Sequence, residues 1–354
     1  MRITARAPTR IDLAGGTLDL HPLSLFVPGG LTVNVALSLQ CTVELVLGEN
    51  PAAGEAPAVI AARDGGERLA APSAAALPEE GPLAPVAAAV KYFDPPAPFR
   101  LTTYSPVPRG SGLGASSALL LAACAALNVA GRRLHSLLEL IHLTAALEAR
   151  AAGVPAGFQD QYAAAFGGMS ILHWELRGAR RERVPLTGAD REELGRRLLL
   201  TWSGQAHRSG SINWEMFKAY VDRRQEAVAG FHQIAGTARA MADAARQRDW
   251  AAVGPLLQQE WEARRAISPL ATGPALERLA SAAAAAGASG SKACGAGGGG
   301  CLLTAVPPGR RDAVKAALEQ AGGRVLPLVP QGQGLAVELH RQAPVSGTSW
   351  APGG

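Results

Sequence analysis

Four cysteines in 354 residues, Cys41, Cys124, Cys294 and Cys301, are too few and too scattered for a disulfide framework. They also lack metal-type pairing: only Gly and Ala separate Cys294 from Cys301, and no histidine pair stands near. No run of 18 or more apolar residues occurs. The nearest, Ala118–Ala130, is interrupted by Asn128 and follows a glycine loop, so it reads as a buried helix rather than a membrane span. The first ten residues, MRITARAPTR, contain no apolar core of a secretory signal. A cytoplasmic protein without a membrane partner is therefore expected. Lysine is scarce as well: Lys91, Lys218, Lys292 and Lys315 are the only lysines among 34 basic residues. With Ala, Gly and Pro also in excess, this arginine bias resembles GC-rich coding. The net charge of +5 is not read as a nucleic-acid footprint, although it suits a small anionic ligand.

What is present is an ordinary apolar fraction of 48% together with 41 glycines that follow no fixed period. Short alternating runs at Arg2–Ala7, Arg10–Ala14, Leu31–Leu39 and Thr42–Leu47 predict strands separated by tight turns. The stretch from Glu49 to Ala58 reads as an exposed connection. Helical spacing predicts helices at Ala84–Tyr92, from Ala118 to Val129, at Leu134–Ala152 and at Gln159–Phe166. Ser211–Arg246, Asp249–Ala266, Leu276–Ala286 and Arg310–Gly322 follow as helices. Phe99–Ser105, Ser170–Trp174, Leu198–Ser203 and Gly334–His340 are predicted strands. Arg177–Arg183 reads as a hairpin or loop, and Ala293–Ala305 as a glycine run joined to a buried strand. Strands cluster in each half instead of alternating regularly with helices, which predicts an α+β fold.

The densest feature is Pro106-Val-Pro-Arg-Gly-Ser-Gly-Leu-Gly-Ala-Ser-Ser117, placed directly before the apolar helix. Alternating glycines let backbone N–H groups approach an anion, and the helix N-terminus adds partial positive charge. Two common phosphate loops do not fit. No Lys follows the glycines as a P-loop requires. A dinucleotide fingerprint would need a third Gly where Ser117 stands, and an acidic residue about 20 positions further on is missing.

The segment Pro108-Arg-Gly-Ser-Gly-Leu-Gly-Ala-Ser-Ser117 instead resembles the nucleotide loop of the GHMP kinases, P-x-x-x-G-L-G-S-S-A, with Ala115 at the first Ser and Ser116 at the second. Three further segments resemble that family in order. Arg10 and Asp19 lie nine residues apart in Ala7-Pro-Thr-Arg-Ile-Asp-Leu-Ala-Gly-Gly-Thr-Leu-Asp19. Asp160 and Gln161 open a helix after Gly157, with Glu148 twelve residues earlier. Gly295-Ala-Gly-Gly-Gly-Gly300 matches the third glycine motif. Within the family the wording of Asp160–Gly168, Lys292–Gly300 and Thr201–Ser209 is similar to the D-glycero-D-manno-heptose 7-phosphate kinases and their fucokinase-like relatives. Ala14-Gly-Gly-Thr-Leu-Asp19 departs from that group's A-G-G-G-T-D, and Phe158 stands where it often has Lys; both changes fall on the substrate side.

The resemblance implies a two-lobed α+β fold, with a ribosomal protein S5 domain 2-like first lobe at 1–175, a ferredoxin-like second lobe at 176–342, and a disordered tail at 343–354. It implies transfer of the γ-phosphate of ATP, with Mg²⁺, to a hydroxyl of a small sugar or sugar phosphate. The catalytic residues would be Asp160 and Arg10. The nucleotide would lie on Pro108, Arg109, Gly110, Ser111, Gly112, Leu113, Gly114, Ala115, Ser116 and Ser117. Ser116 and Glu148 would hold the metal. Gly16, Thr17, Asp19, Gln161, Arg208, Gly297 and Gly298 would contact the substrate, and Lys292 is a further candidate anion contact. The alternatives are a mevalonate-type isoprenoid kinase and a non-catalytic sensor of ATP and sugar. Retention of Asp160, Glu148 and Ser116 argues against the sensor.

Overall fold

The computed structural model of the chain describes residues 1–49, 54–131, 134–176, 178–206 and 209–340. The first part of the chain runs β1 (Arg2–Ala14), α1 (Leu23–Phe26), β2 (Leu31–Leu47), β3 (Ala58–Ala62), β4 (Arg68–Ala71), α2 (Ala84–Phe93), β5 (Phe99–Tyr104), α3 (Ala115–Ala130), α4 (Leu137–Ala152), α5 (Gln159–Phe166), β6 (Met169–Glu175) and β7 (Gly178–Val184). It continues with α6 (Gly188–Arg197), β8 (Leu198–Trp202), α7 (Ser209–Val221), α8 (Gln225–Gln247), α9 (Val253–Ile267), α10 (Pro274–Ala285), β9 (Gly290–Ala293), β10 (Cys301–Ala305), α11 (Arg311–Gln320), β11 (Arg324–Leu326) and β12 (Ala336–His340). Among the described residues no helix is long and apolar enough to cross a membrane.

The larger sheet follows the path β12-β1-β2-β5-β3-β4, and β6 pairs with β2 and β7. The smaller sheet has the order β11-β8-β10-β9. With α7–α10 between β8 and β9, and α11 between β10 and β11, this is the β-α-β-β-α-β ferredoxin-like arrangement. Two predicted strands at the N-terminus are in fact the single strand β1. The break expected at Pro8 is a register shift between Pro8 and Arg10, and a second shift lies between Asp12 and Ala14. Bulges re-aim side chains without ending a strand, so Arg10 and Asp12 occupy the segment between two such irregularities. Likewise 31–47 is one strand, whose ends pair with different partners, β6 and β5.

Other departures have local causes. The predicted helix 211–246 is two helices, because Arg223 adopts a left-handed φ of 55° between α7 and α8. The Ala-rich stretch after the exposed connection contributes β3, which runs parallel to β5, and β4. Arg177–Arg183, read as a hairpin or loop, contains most of β7, which pairs antiparallel with β6. The lobe boundary expected after 175 falls inside that hairpin, and β7 and β12 both belong to the larger sheet. The expected tail 343–354 lies outside the described residues.

Helix α3 is buried along most of its length, from Ser117 to Leu127, and packs with α2, α4 and α5 on the larger sheet. A second apolar cluster joins Leu13 and Val33 of the larger sheet to Met241 of α8 and to Leu200 and Leu303 of the smaller sheet. The lobes thus share a core, and one cleft opens beside it.

Candidate active site

The cleft has a volume of about 660 Å³, within the usual range for small-molecule sites. Every residue from Pro108 to Ser117 lines it. Gly110, Gly112 and Gly114 have φ of +67°, +78° and +69°, values an L side chain rarely adopts. Gly114 is doubly constrained, since a Cβ there would lie 3.1 Å from Cγ of Asp160. As N-cap of α3 it offers no side chain to the first-turn N–H groups, which stay available to an anion. Arg109 leans to the rim, where its guanidinium grips both oxygens of the Glu67 carboxylate.

Arg10 ties this loop to Asp160. Its Nε and Nη2 lie 2.7 and 2.6 Å from Oδ1 of Asp160, its Nη1 donates to the Gly112 carbonyl, and its backbone N–H donates to the Leu113 carbonyl at 2.9 Å. Burial alone would lower the Arg10 pKa, but the charges of Asp160 and Asp12 outweigh it and hold it above its ordinary value. Asp160 therefore faces a cation that stays charged. Its other oxygen, Oδ2, lies beside Gly114.

Asp19 lies on the same wall, buried, accepting from the Gln159 backbone N–H at 3.1 Å. Burial and the neighbouring Asp160 charge push its carboxyl up to about 6. Gly157 passes so close that a Cβ would sit 1.9 Å from the Asp19 carboxylate. At the loop, Glu148 accepts from Ser117 Oγ at 2.7 Å and Gln161 Nε2 at 2.8 Å. Burial pushes Glu148 up to about 7, with hydrogen bonds from Ser117 and Ser116 opposing the rise. Ser116 is the more exposed of the two serines, and both line the cleft with Glu148.

Arg10, Thr17, Asp19, Glu148, Asp160 and the whole glycine loop are thus brought together. Other expectations need correction. Gln161 is fully buried and turned to Glu148, away from the cleft; Gln159, two residues earlier and so about 200° around α5, is on the cleft wall instead. Gly16 lies behind the wall, where a Cβ would meet the Arg264 guanidinium at 2.5 Å. Gly297 and Gly298 pack against the carbonyls of Ala271 and Leu270, and the cleft is reached by Gly295 and Ala296. Arg208 lies outside the described residues. Lys292 is no anion contact: it is completely buried, bonded to the Asp12 carboxylate and carbonyl and 3.3 Å from Glu260. The sequence motifs do not single out Asp12, Gln159, Glu260 or Arg264. Glu260 and Arg264 stand four apart on α9 like an ordinary surface pair, so no sequence signal distinguished them.

Two family models match the chain in order: the GHMP kinases N terminal domain over residues 84–168 and the GHMP kinases C terminal domain over 241–324. The chain belongs to the GHMP kinases. This GHMP kinase is 28% identical over 331 residues to the D-glycero-alpha-D-manno-heptose 7-phosphate kinase of Campylobacter jejuni, covering 91% of this chain and 95% of that one. It is 26% identical over 293 residues to the bifunctional fucokinase/GDP-fucose pyrophosphorylase of Arabidopsis thaliana, covering 78% of this chain but 27% of that longer protein. Among solved structures, a D-glycero-D-manno-heptose 1-phosphate kinase from Bacteroides thetaiotaomicron superposes with a TM-score of 0.74 at 23% identity, over 96% of this chain and 100% of that chain.

Proposed function

We propose that this GHMP kinase transfers the γ-phosphoryl group of ATP to a hydroxyl of a sugar or sugar phosphate, of the heptose 7-phosphate or fucose kind. The observation that carries the reading is the placement of Asp160. It is clamped by Arg10 between a phosphate-type loop and the buried acceptor Asp19. The acceptor hydroxyl oxygen would form the new bond to the γ-phosphorus while the bond to the β,γ-bridging oxygen breaks and ADP departs. Asp160 is placed to orient that hydroxyl and accept its proton. Arg10 holds the carboxylate in place and ties it to the loop through the Gly112 and Leu113 carbonyls, which fixes the base relative to the phosphate site. Asp19 would accept hydrogen bonds from other hydroxyls of the sugar.

Ser116 and Glu148 are the residues that would hold Mg²⁺. Their donor set fits: both offer hard oxygen, and burial leaves the Glu148 carboxyl raised to about 7, a shift that a neighbouring cation would reverse. Among the described residues no three His, Cys, Asp or Glu side chains gather as a metal site. Protein oxygens would thus be joined by nucleotide phosphate and water. The bound ion would supply charge neutralisation on the phosphates. A cytoplasmic location is part of the same reading, supported by four free, buried thiols.

ADP release measured across hexoses, heptoses, their phosphates and mevalonate tests the reading. Turnover that requires a sugar or sugar phosphate is the expected result. Activity with mevalonate alone would overturn it.

A further inference from the structure

Asn213 lies on α7, in the second lobe, and lines the same cleft as Thr17, Asp19 and Asp160. No sequence motif marks it. Its Oδ1 accepts a hydrogen bond from Thr17 Oγ1 at 3.2 Å. Thr17 Oγ1 in turn accepts from Arg264 Nη1 at 3.0 Å. Arg264 is 1% exposed and fixed by Glu260 at 2.9 Å, so this chain of contacts begins at an immobile cation.

The chemistry of the three groups fixes the direction of the chain. A guanidinium has donors only, so the Thr17 hydroxyl spends a lone pair on Arg264 and keeps one proton to give. Among the described residues the acceptor recorded for that proton is Asn213 Oδ1. The amide orientation is therefore imposed from behind, with oxygen toward Thr17 and the two N–H donors on the opposite side. Thr17 itself has a left-handed φ of +71°, costly for a β-branched residue. Strain of that kind persists where the surroundings demand one side-chain position.

We propose that Asn213 is a sugar-recognising residue, whose amide donates to a hydroxyl oxygen of the acceptor while Asp19 accepts from another hydroxyl. Thr17 and Arg264 are positioning residues. A fixed donor and a fixed acceptor on one wall suit a polyol, each of whose hydroxyls both gives and takes a hydrogen bond. The contact also joins the lobes, since Thr17 belongs to the first and Asn213 to the second. This inference rests on the sugar-kinase reading above.

Steady-state kinetics with D-glycero-D-manno-heptose 7-phosphate and with L-fucose provide the test. For whichever acceptor the unaltered enzyme phosphorylates, Asn213→Ala raises the sugar KM about tenfold, with kcat within about threefold and the KM for ATP unchanged. Asn213→Asp, which loses both donors, raises it further. Thr17→Val reproduces the sugar KM effect and Thr17→Ser restores it. One monodeoxy analogue of the acceptor is used poorly by the unaltered enzyme, yet loses nothing further in Asn213→Ala. An unchanged sugar KM in Asn213→Ala, beside an active unaltered enzyme, overturns the role of Asn213 alone. So does a uniform loss of kcat and ATP affinity with a lowered Tm, which assigns the residue to folding. An unaltered enzyme that phosphorylates neither of these nor any other hexose, heptose or sugar phosphate overturns the underlying reading and this inference together.

Discussion

Two groups of charged side chains lie on either side of the same wall, and they are balanced differently. Behind the wall, Asp12, Lys292, Glu260 and Arg264 are all at or below 1% exposure, two anions facing two cations. Burial would raise the Asp12 pKa, but Lys292, Arg10 and Arg264 outweigh it and hold the carboxyl low. In front of the wall, Asp19, Glu148 and Asp160 are three anions; among the described residues Arg10, on Asp160, is the cation ion-paired with them, and the other two carboxyls are raised to about 6 and 7. Charge that the protein satisfies itself builds the scaffold. Charge left unbalanced in a cleft is what a cationic or hydroxylic ligand completes. The rear group also fixes the front: Asp12 accepts from the Gly295 N–H, and Arg264 donates to the Gly295 carbonyl and to Thr17.

Removing a member of each group should therefore give opposite phenotypes. Asp160→Asn has the largest expected effect, a loss of kcat of about 10²–10⁴-fold, the range of general acid–base contributions. ATP affinity measured by calorimetry in the presence of Mg²⁺ stays within a few-fold, and Tm is not lowered. Undiminished turnover would remove Asp160 from its role, and a lowered Tm would place it with the scaffold. Lys292→Met comes next. It removes the buried ammonium bonded to Asp12 and close to Glu260, leaving two anions and one cation in the rear group, which costs about 3–5 kcal/mol of stability, read by urea denaturation. Intact stability with lost activity would move Lys292 to the front group.

The front group was far more legible in the sequence than the rear one. Arg10, Asp19, Glu148, Asp160 and the loop 108–117 sit in short motifs whose spacing survives folding, so a linear pattern locates them. Asp12, Lys292, Glu260 and Arg264 meet only because β1, β9 and α9 converge, and no local pattern marks a charge as buried. Gln159 and Gln161 show the limit at finer scale. Both lie in the recognised segment, but their positions around α5 send the first to Asp19 and the second to Glu148. For the fold, helix and strand periodicity located most elements. It could not foresee that Pro8 is absorbed in a register shift, or that Arg223 turns left-handed and divides a long polar helix.

The smallest effect separates ligand-dependent from self-sufficient charge most directly. Glu148 titrates near 4.5 as an ordinary carboxyl and near 7 in the folded, unliganded protein. Between those values the folded state holds more protons than the unfolded one, so stability is lost as pH rises from about 4.5 through 7. Asp19, raised to about 6, adds a loss of the same sign. Glu148→Gln keeps an oxygen for Ser117 but cannot ionise, so it removes only the Glu148 share. At pH 8 the unliganded variant should be more stable than the parent by about 1–2 kcal/mol, less than the full rise from 4.5 to about 7 would give because the carboxyl is partly open to solvent. The two should converge below about pH 4.5. In the presence of Mg²⁺ the order reverses for ligand binding: the variant should bind ATP more weakly than the parent, because the carboxylate that destabilises the cleft is the one proposed to hold the ion. Parallel pH–stability curves for the two proteins would show that Glu148 is already balanced by the protein and belongs with Asp12.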